Sequence, residues 1–178
     1  MNLSIRGGHP GFTLVELLIV IVVLAIGLTI AVPSLQEFLK NNRVAAQNNE
    51  LVALISLAKS QAIRLNENWQ VELISDGFSW AGNVRPADRN PTDAEEEGCP
   101  DEVGVVRCSS FQNVELLHDD GTKTAIEFNN RGFLELESQD WASVDLVLEH
   151  RNCKGGRQKR LIEILPTGQI TSLAVPCS

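Results

Sequence analysis

The pattern of apolar and polar positions begins with one long apolar run. From Phe12 to Val32 the sequence reads FTLVELLIVIVVLAIGLTIAV, and Glu16 is its one ionisable side chain. At 1.5 Å per residue, a helix of about 21 residues is long enough to cross the hydrocarbon core of a bilayer. The run therefore predicts a membrane-spanning helix, which we assign to residues 12–33.

After Pro33 the helical pattern continues, now with charged positions mixed in. Apolar or small residues recur at spacings of three and four, which is typical of an amphipathic helix with one buried face. We predict this helix over residues 34–66, and together with the membrane segment it makes a rod of roughly 55 residues, or about 80 Å. The predicted buried stripe consists of Ala45, Leu51, Val52, Leu54, Ile55, Leu57, Ala58, Ala62 and Leu65.

Beyond residue 66 the period changes from helical to alternating. The segment 69–75, WQVELIS, alternates, Asp76-Gly77 is a turn signal, and residues 78–82 can return as the second strand of a hairpin. Residues 83–102 are rich in proline and acid and predict a solvated loop. Shorter strands are predicted at about 103–107, 114–117, 124–128, 133–137, 144–149, 161–165 and 169–173. The fold class is therefore α+β, with a β-rich domain at residues 67–178.

The residues before the apolar run do not follow the sequence of regions found in a secretory signal peptide. The first eleven, MNLSIRGGHPG, are polar, and the small residues come before the apolar run instead of after it. Cleavage after Gly11 would leave the apolar helix as the mature N-terminus. A carboxylate such as that of Glu16 costs roughly 2.5 to 3.5 kcal/mol or more in hydrocarbon, so it calls for a cationic partner. A plain acid that snorkels to the interface from a helix end is the alternative.

The motif from Gly11 to Glu16, GFTLVE followed by the apolar run, resembles the class III signal of type IV pilins and type II secretion pseudopilins. The resemblance implies that a prepilin peptidase removes the leader, residues 1–11, by cleaving between Gly11 and Phe12. It also implies methylation of the new Phe12 amine. Glu16 is then expected to pair with the terminal amine of a neighbouring subunit during assembly.

Charge is distributed unevenly along the 178 residues. The formal net charge is -8, with residues 67–150 strongly acidic and residues 151–178 carrying five cations against one acid. An acidic balance argues against general nucleic-acid binding, which depends on neutralising phosphates with Lys and Arg. About 145 residues remain after the leader and the membrane segment, enough for one globular domain with its own core.

All four cysteines follow the apolar segment, as expected of a domain exported to an oxidising compartment. Four cysteines allow three pairings. We favour Cys99 with Cys108, which closes a short loop, and Cys153 with Cys177, which could pin the end of the chain. A metal site is the weaker alternative, because no Cys-x-x-Cys spacing or nearby histidine supports it.

Later segments resemble the GspH/FimT branch of the pilin family, which includes the minor pilins FimT and FimU and the secretion pseudopilin GspH. They are the helix at 41–66 with its SLAKSQAIR run, the hairpin at 69–80, IEFNNRG at 126–132 and IEILPTGQI at 162–170. The resemblance implies a pilin-like fold, in which the second half of the long helix packs on an antiparallel sheet domain.

The resemblance also implies a role and a location. The expected role is that of a minor pilin, which helps to initiate or cap a type IV pilus used for twitching motility and adhesion. A pseudopilin of a type II secretion system is the alternative. The expected partners are other minor pilins and the major pilin, or pseudopilins, together with the prepilin peptidase and the inner-membrane assembly platform. The chain is expected to cross the inner membrane once, with its C-terminal domain in the periplasm.

The sequence predicts neither catalysis nor a cofactor. It contains no Gly-x-Ser-x-Gly elbow, no phosphate-binding Gly-x-x-x-x-Gly-Lys-Ser/Thr loop and no His-Glu-x-x-His. His118 and His150 lie among strand-like residues and predict surface or edge positions. The acids at 95–97 lack the spaced ligand ladder of an EF-hand, which favours a solvated charge run over a calcium site.

A cluster of cations near the C-terminus raises a further possibility, DNA uptake. The cluster consists of Arg151, Lys154, Arg157, Lys159 and Arg160, with Gly155-Gly156 between them. On an exposed hairpin tip it could track a phosphate backbone or contact a partner subunit. FimT-like DNA-uptake pilins carry a Gly-Arg-x-Arg motif near the C-terminus, and this chain has Gly168-Gln169-Ile170-Thr171 in its place. The missing arginines favour a solvated or subunit-contacting loop over DNA binding.

Overall fold

The structure, a computed structural model, describes residues 12–77, 79–88, 105–117, 123–135, 143–154 and 157–177. Over these residues the chain forms one long helix and then nine strands, which confirms the α+β prediction. The elements are α1 (Leu14–Leu65), β1 (Trp69–Asp76), β2 (Ser79–Pro86), β3 (Arg107–Gln112), β4 (Val114–Leu117), β5 (Lys123–Phe128), β6 (Leu134–Glu135), β7 (Val144–His150), β8 (Lys159–Ile164) and β9 (Ile170–Val175).

The strands form two antiparallel sheets. One sheet has the order β3-β2-β1-β5-β6, and the other has the order β4-β7-β8-β9. By packing, the chain divides into two compact units, Met1–Leu39 and Lys40–Ser178. Helix α1 continues through Pro33 and contributes residues to both units. The predicted limits of the leader and the membrane segment remain predictions.

The second unit contains a complete hydrophobic core. It combines the buried face of α1 after Lys40 with the inward faces of both sheets, and every buried member lies between Val44 and Ile164. Phe128, Leu51, Leu54 and Ile55 are among its largest fully buried side chains. Because this core lies wholly within Lys40–Ser178, that segment can fold without the apolar segment before it.

The buried face of α1 differs in part from the predicted stripe. Leu51, Leu54, Ile55, Ala58 and Ala62 are buried as predicted, whereas Ala45, Val52 and Leu57 are half-buried and Leu65 is exposed. The face also includes Val44 and three polar residues, Gln47, Asn48 and Gln61. Buried amides need hydrogen-bond partners, and the sheets supply them for the first two: Gln47 bonds to Trp80 and Gln112, and Asn48 accepts from Ser172.

The predicted hairpin is confirmed and extended, and the solvated loop predicted from residue 83 is wrong for residues 83–86, which belong to β2 and are buried. Strands β1 and β2 pair antiparallel from Trp69 opposite Pro86 to Asp76 opposite Ser79, with Gly77 at a positive φ of 55°. Of the strand predicted at 103–107, residues 103–104 lie outside the described residues, residues 105–106 are not in a strand, and β3 begins only at Arg107. The shift brings Phe111 opposite Trp80, where the two rings stack at 4.7 Å. Of the strand predicted at 133–137, Leu134–Glu135 forms β6, Phe133 is not in a strand, and residues 136–137 lie outside the described residues.

Candidate functional site

The apolar first part of α1 is exposed along its length. From Phe12 to Leu39 every residue is exposed, and Phe12 and Leu14 retain 81% of their accessible surface. Among the described residues, α1 is the one helix that is long and apolar enough to cross a membrane, with a mean hydropathy of 3.0 in its most apolar window. Within the described part of the chain, none of this most apolar window is buried.

Thr13 and Glu16 form the start of α1. The Thr13 hydroxyl accepts a hydrogen bond from the Glu16 backbone N–H at 3.2 Å, so Thr13 caps the helix and Glu16 lies in its first turn. A carboxylate in the first turn also interacts favourably with the helix dipole. The capping role of Thr13 was not predicted, although the Thr-x-x-Glu spacing is a known N-terminal signature. Gly11 and the leader lie outside the described residues.

The five predicted cations do not share one hairpin tip. Arg151, Lys154 and Arg157 are exposed in the connection between β7 and β8. Lys159 and Arg160 instead belong to β8 and are half-buried. Lys159 forms a 3.0 Å ion pair with Glu149, its cross-strand neighbour on β7. This connection therefore presents three of the five predicted charges as exposed cations.

The β7–β8 connection is held by bonds at both of its ends. The Asn152 backbone N–H donates to Nδ1 of the buried His150 at 3.1 Å. The Lys154 N–H donates to Oε1 of Gln158, which is 1% exposed, at 3.2 Å. Between these bonds, Cys153 forms a disulfide with Cys177, with a Cα–Cα distance of 5.7 Å. The predicted Cys153–Cys177 pairing is therefore confirmed.

Cys108 is also disulfide-bonded. It lies on β3 opposite Asn83 and is half-buried. Cys99, the partner that we predict for it, lies outside the described residues, as do His118 and the acids at 95–97. In the described ranges, no group of three or more His, Cys, Asp or Glu side chains could hold a metal ion.

Among the described residues, His150 has a pKa that its surroundings shift. It is 6% exposed, so its predicted surface or edge position is wrong. Burial is the main cause that lowers its pKa below the usual 6.5. The positive charges of Lys40 and Arg43 on α1 lower this pKa further. The imidazole is therefore neutral in the folded domain at pH 7, and its Nδ1 is the acceptor for Asn152.

This lowered pKa gives folding a pH dependence. Below about pH 6.5 the unfolded chain takes up a proton at His150 that the folded domain does not, so stability falls as the pH falls through this window. We expect this group to contribute a slope of at most about 1.4 kcal/mol per pH unit. Urea unfolding of Lys40–Ser178 between pH 7.5 and 5.5 should show this loss. A His150→Gln domain should show a smaller slope, and equal slopes would contradict the assignment.

Two turns of the sheets meet the α1 face at Lys59. Its Nζ donates to the carbonyl oxygens of Gly168 at 2.8 Å and Thr167 at 3.4 Å. Gly132 and Gly168 both have positive φ values, 79° and 72°, and a Cβ on Gly132 would lie 2.7 Å from Ile63. The two glycines thus let their turns approach the helix closely. The sequence predicted both turns, but it gave no indication that Lys59 donates hydrogen bonds to the turn at Thr167 and Gly168.

A second set of buried polar residues lies on the β1–β2 hairpin. Glu72 and Arg85, which are 6% and 7% exposed, form an ion pair at 3.4 Å. Asn83 donates to Glu72 at 3.2 Å, and Gln70 accepts from Arg85 at 2.9 Å in its better amide orientation. These side chains alternate with Val71, Leu73 and Val84 of the core, so they occupy the opposite face of the sheet. The alternation of WQVELIS gave no indication that its polar side chains are buried.

Comparison with known proteins agrees with this architecture. The type IV minor pilin FimU of Pseudomonas aeruginosa matches with a TM-score of 0.51 and 13% identity, over 73% of this chain and 94% of that structure. A second crystal form of FimU gives 0.49 and 13%, over 75% and 90%. At this identity the first likeness shows the fold alone. A search of the curated proteins finds no significant match.

A long helix packed on antiparallel sheets and preceded by an exposed apolar segment defines a pilin-like protein. Residues 8–32 match the prokaryotic N-terminal methylation motif. Residues 47–168 match the family described as type II transport protein GspH, so the chain belongs to that family. Members of this class, the minor pilins and pseudopilins, are structural subunits and not enzymes.

Proposed function

We propose that this chain is a minor pilin that helps to initiate or cap a type IV pilus. The observation that carries the proposal is the exposed apolar surface of α1 from Phe12 to Leu39. In a bilayer lipid covers that surface, and in a filament the apolar helices of neighbouring subunits replace the lipid. In this proposal the domain from Lys40 onwards makes the lateral contacts, and its fold resembles that of a minor pilin.

Processing and partners follow from the same proposal. The prepilin peptidase cleaves between Gly11 and Phe12, and the Phe12 amine is then methylated. The matched methylation motif supports this step. Glu16 pairs with the terminal amine of a neighbouring subunit. The partners are other minor pilins, the major pilin and the inner-membrane assembly platform. Before assembly the chain spans the inner membrane once, with its C-terminal domain in the periplasm.

A type II secretion pseudopilin is the second candidate function. The family description, type II transport protein GspH, favours it. Both machines use the same N-terminal chemistry, so the choice depends on which process fails without this subunit. DNA uptake is a third possibility and has less support, because Lys159 of the predicted basic cluster is paired with Glu149.

Deletion of the gene, followed by parallel assays of twitching, secretion and transformation, tests these functions. We expect twitching and surface piliation to be lost and secretion of type II substrates to remain, with both defects reversed by the intact gene. Loss of secretion with normal piliation would replace the pilus assignment by the pseudopilin one. Normal results in all three assays would contradict the proposal.

A further inference from the structure

An apolar row crosses all four strands of the sheet β4-β7-β8-β9. Directly paired residues of antiparallel strands have their side chains on the same face. With strands about 4.8 Å apart, a row across four strands is about 14 Å long. Cross-strand pairing aligns one apolar residue from each strand, and we call these four residues the apolar row: Leu117, Val147, Leu161 and Leu173.

The apolar row lies on the face of this sheet that is turned away from the core. Side chains alternate between the two faces along a strand, and the chain neighbours of the row include Leu116 and Ile162, which belong to the core. At the two ends of the row Leu173 is 60% exposed and Leu117 is 41% exposed, and the two middle members are half-buried. A single exposed leucine is ordinary, but a contiguous apolar row indicates a contact surface.

Polar residues lie on both sides of the apolar row. They are two positions further along the strands, which is about 7 Å. These flanking residues are Asp145, Glu163 and Thr171 on one side and Glu115, Glu149, Lys159 and Val175 on the other. Four of the seven are acids, and the one cation, Lys159, pairs with Glu149. The face is therefore apolar along its middle and mainly acidic along its sides.

The dimensions of this face match those of a helix. The backbone groups of β7 and β8 are bonded within the sheet, so the middle of the face offers only side chains to a partner. A helix is about 10 Å wide with its side chains, so one that lies along the row would place its flanking residues above the two polar sides. The length of the row corresponds to about nine residues of helix, or three apolar positions at spacings of three and four.

We propose that the apolar row binds an amphipathic helix of another protein. This helix has apolar residues at i, i+3 or i+4 and i+7, and Lys or Arg on both sides of them, which complement the acids of the sheet. A second copy of this chain is a poorer fit, because contact between two such faces would bring acids against acids. The row lies wholly within Lys40–Ser178, so this inference does not rest on the proposed function.

The test uses Lys40–Ser178, whose tertiary fold is first verified by near-UV circular dichroism. The probe is a fluorescent, side-chain-stapled peptide of about 14 residues, because an unstapled helix of that length is marginal in water. It carries three leucines in one stripe with lysines on both sides. We expect fluorescence anisotropy to show that it binds about tenfold more tightly than the same peptide with glutamate in place of lysine.

A matched pair of variants locates the contact. Leu117→Ser/Leu173→Ser removes the two exposed ends of the row and should weaken binding of the lysine peptide about tenfold. Leu65→Ser/Val106→Ser removes side chains of similar exposure, 44% and 51%, that lie outside this sheet. This control should bind within about twofold of the wild type, because distant sites act independently.

A second pair of variants tests the flanking charge. Glu163→Gln should weaken binding of the lysine peptide about threefold, which is typical of an ion pair near the surface. Glu135→Gln removes the same charge from an exposed position on β6, in the other sheet. It should leave binding unchanged, and an equal loss in both variants would show that only net charge matters.

The full chain in its own cells provides an independent test. A photo-crosslinking amino acid at position 173 should join the chain to a partner segment that has the basic, apolar pattern stated above. The same amino acid at position 106 is the control for exposure. Position 173 giving no more crosslinks than position 106, or crosslinks only to segments without this pattern, would contradict the proposal.

Five results with the isolated domain would also overturn the proposal. They are absence of binding of the lysine peptide, equal binding of the glutamate peptide, and equal losses in the two double-serine variants. A dimer in sedimentation velocity that Leu117→Ser/Leu173→Ser abolishes would identify a second copy as the occupant. Binding to phosphatidylcholine vesicles that the same variant abolishes would identify lipid. None of these measurements involves processing or filament assembly, so their failure leaves the proposed function untouched.

Discussion

A Glu16→Gln chain is expected to enter the membrane like the wild type and to be depleted at least tenfold from filaments. Glutamine keeps the size of the side chain and lowers the cost of placing residue 16 in hydrocarbon, so insertion should not suffer. It cannot form an ion pair with a neighbouring terminal amine. A charge-assisted hydrogen bond contributes roughly 1.5 to 3 kcal/mol, and 1.4 kcal/mol corresponds to a factor of ten.

Glu37→Gln is the matched control. It removes the same charge from the same exposed part of α1 but lies 21 residues from Glu16. Immunoblots of membranes and of sheared filaments give the ratio of inserted to assembled subunit. Intact-mass measurement of the membrane protein verifies that the leader is removed after Gly11 and that Phe12 carries one methyl group. Equal incorporation of the two variants would contradict an assembly role for Glu16.

Gly168→Ala is expected to destabilise the domain by at least about 3 kcal/mol and to lower its melting temperature by about 10 °C. Gly168 has φ 72°, where a Cβ alone costs about 1 to 2 kcal/mol. This Cβ would also overlap the carbonyl oxygen of Gly132 and lie 2.9 Å from Nζ of Lys59. The turn would have to withdraw from α1, with loss of the Lys59 hydrogen bonds.

Gly77→Ala separates the two causes. Gly77 also has a positive φ, 55°, but a Cβ there would meet no atom within 4 Å. Gly77→Ala should lower the free energy of unfolding only by the cost of a Cβ at positive φ, about 1 to 2 kcal/mol. Urea unfolding of Lys40–Ser178 with each substitution measures the difference. If the two variants lose equal stability, the close approach of the turns does not contribute.

The elements that were predicted correctly are those whose signals lie close together in the sequence. The hairpin of β1 and β2 followed from the alternation of WQVELIS and from Asp76-Gly77, and the structure has that register. Helix α1 followed from two adjacent signals, the apolar run before Pro33 and the amphipathic period after it, which the structure joins in one helix. The assembly role of Glu16, which the motif GFTLVE also predicts, stays a prediction.

Features that depend on distant partners were missed. Gln47 is buried because Trp80 and Gln112, which are 33 and 65 residues away, supply its hydrogen bonds. Asn48 bonds to Ser172 at a separation of 124 residues. Lys59 is not a member of the predicted buried stripe, yet its ammonium donates to the Gly168 carbonyl oxygen, which is 109 residues away. No pattern within α1 distinguishes these residues from exposed polar ones.

The basic cluster was predicted only in part, because a loop and a strand share its residues. Lys159 and Arg160 begin the alternation KRLIEI, so they extend β8 instead of the connection. Pairing with β7 then brings Lys159 to Glu149, an ion pair that needs the sheet to exist first. The composition of residues 151–160 identified the five cations. The start of β8 at Lys159 determines which of them remain exposed.

Lys59 has a consequence for the way the domain bears load. The hydrogen bonds of Lys59 to Thr167 and Gly168 and the close approach of Ile63 to Gly132 form at one position of the helix along its axis. A displacement of one helical turn, about 5.4 Å, would break them together. A force along the axis of α1 therefore loads these contacts in shear and all at the same time. A force on the strand ends would break them one after another. The sheets therefore resist sliding along the axis of α1.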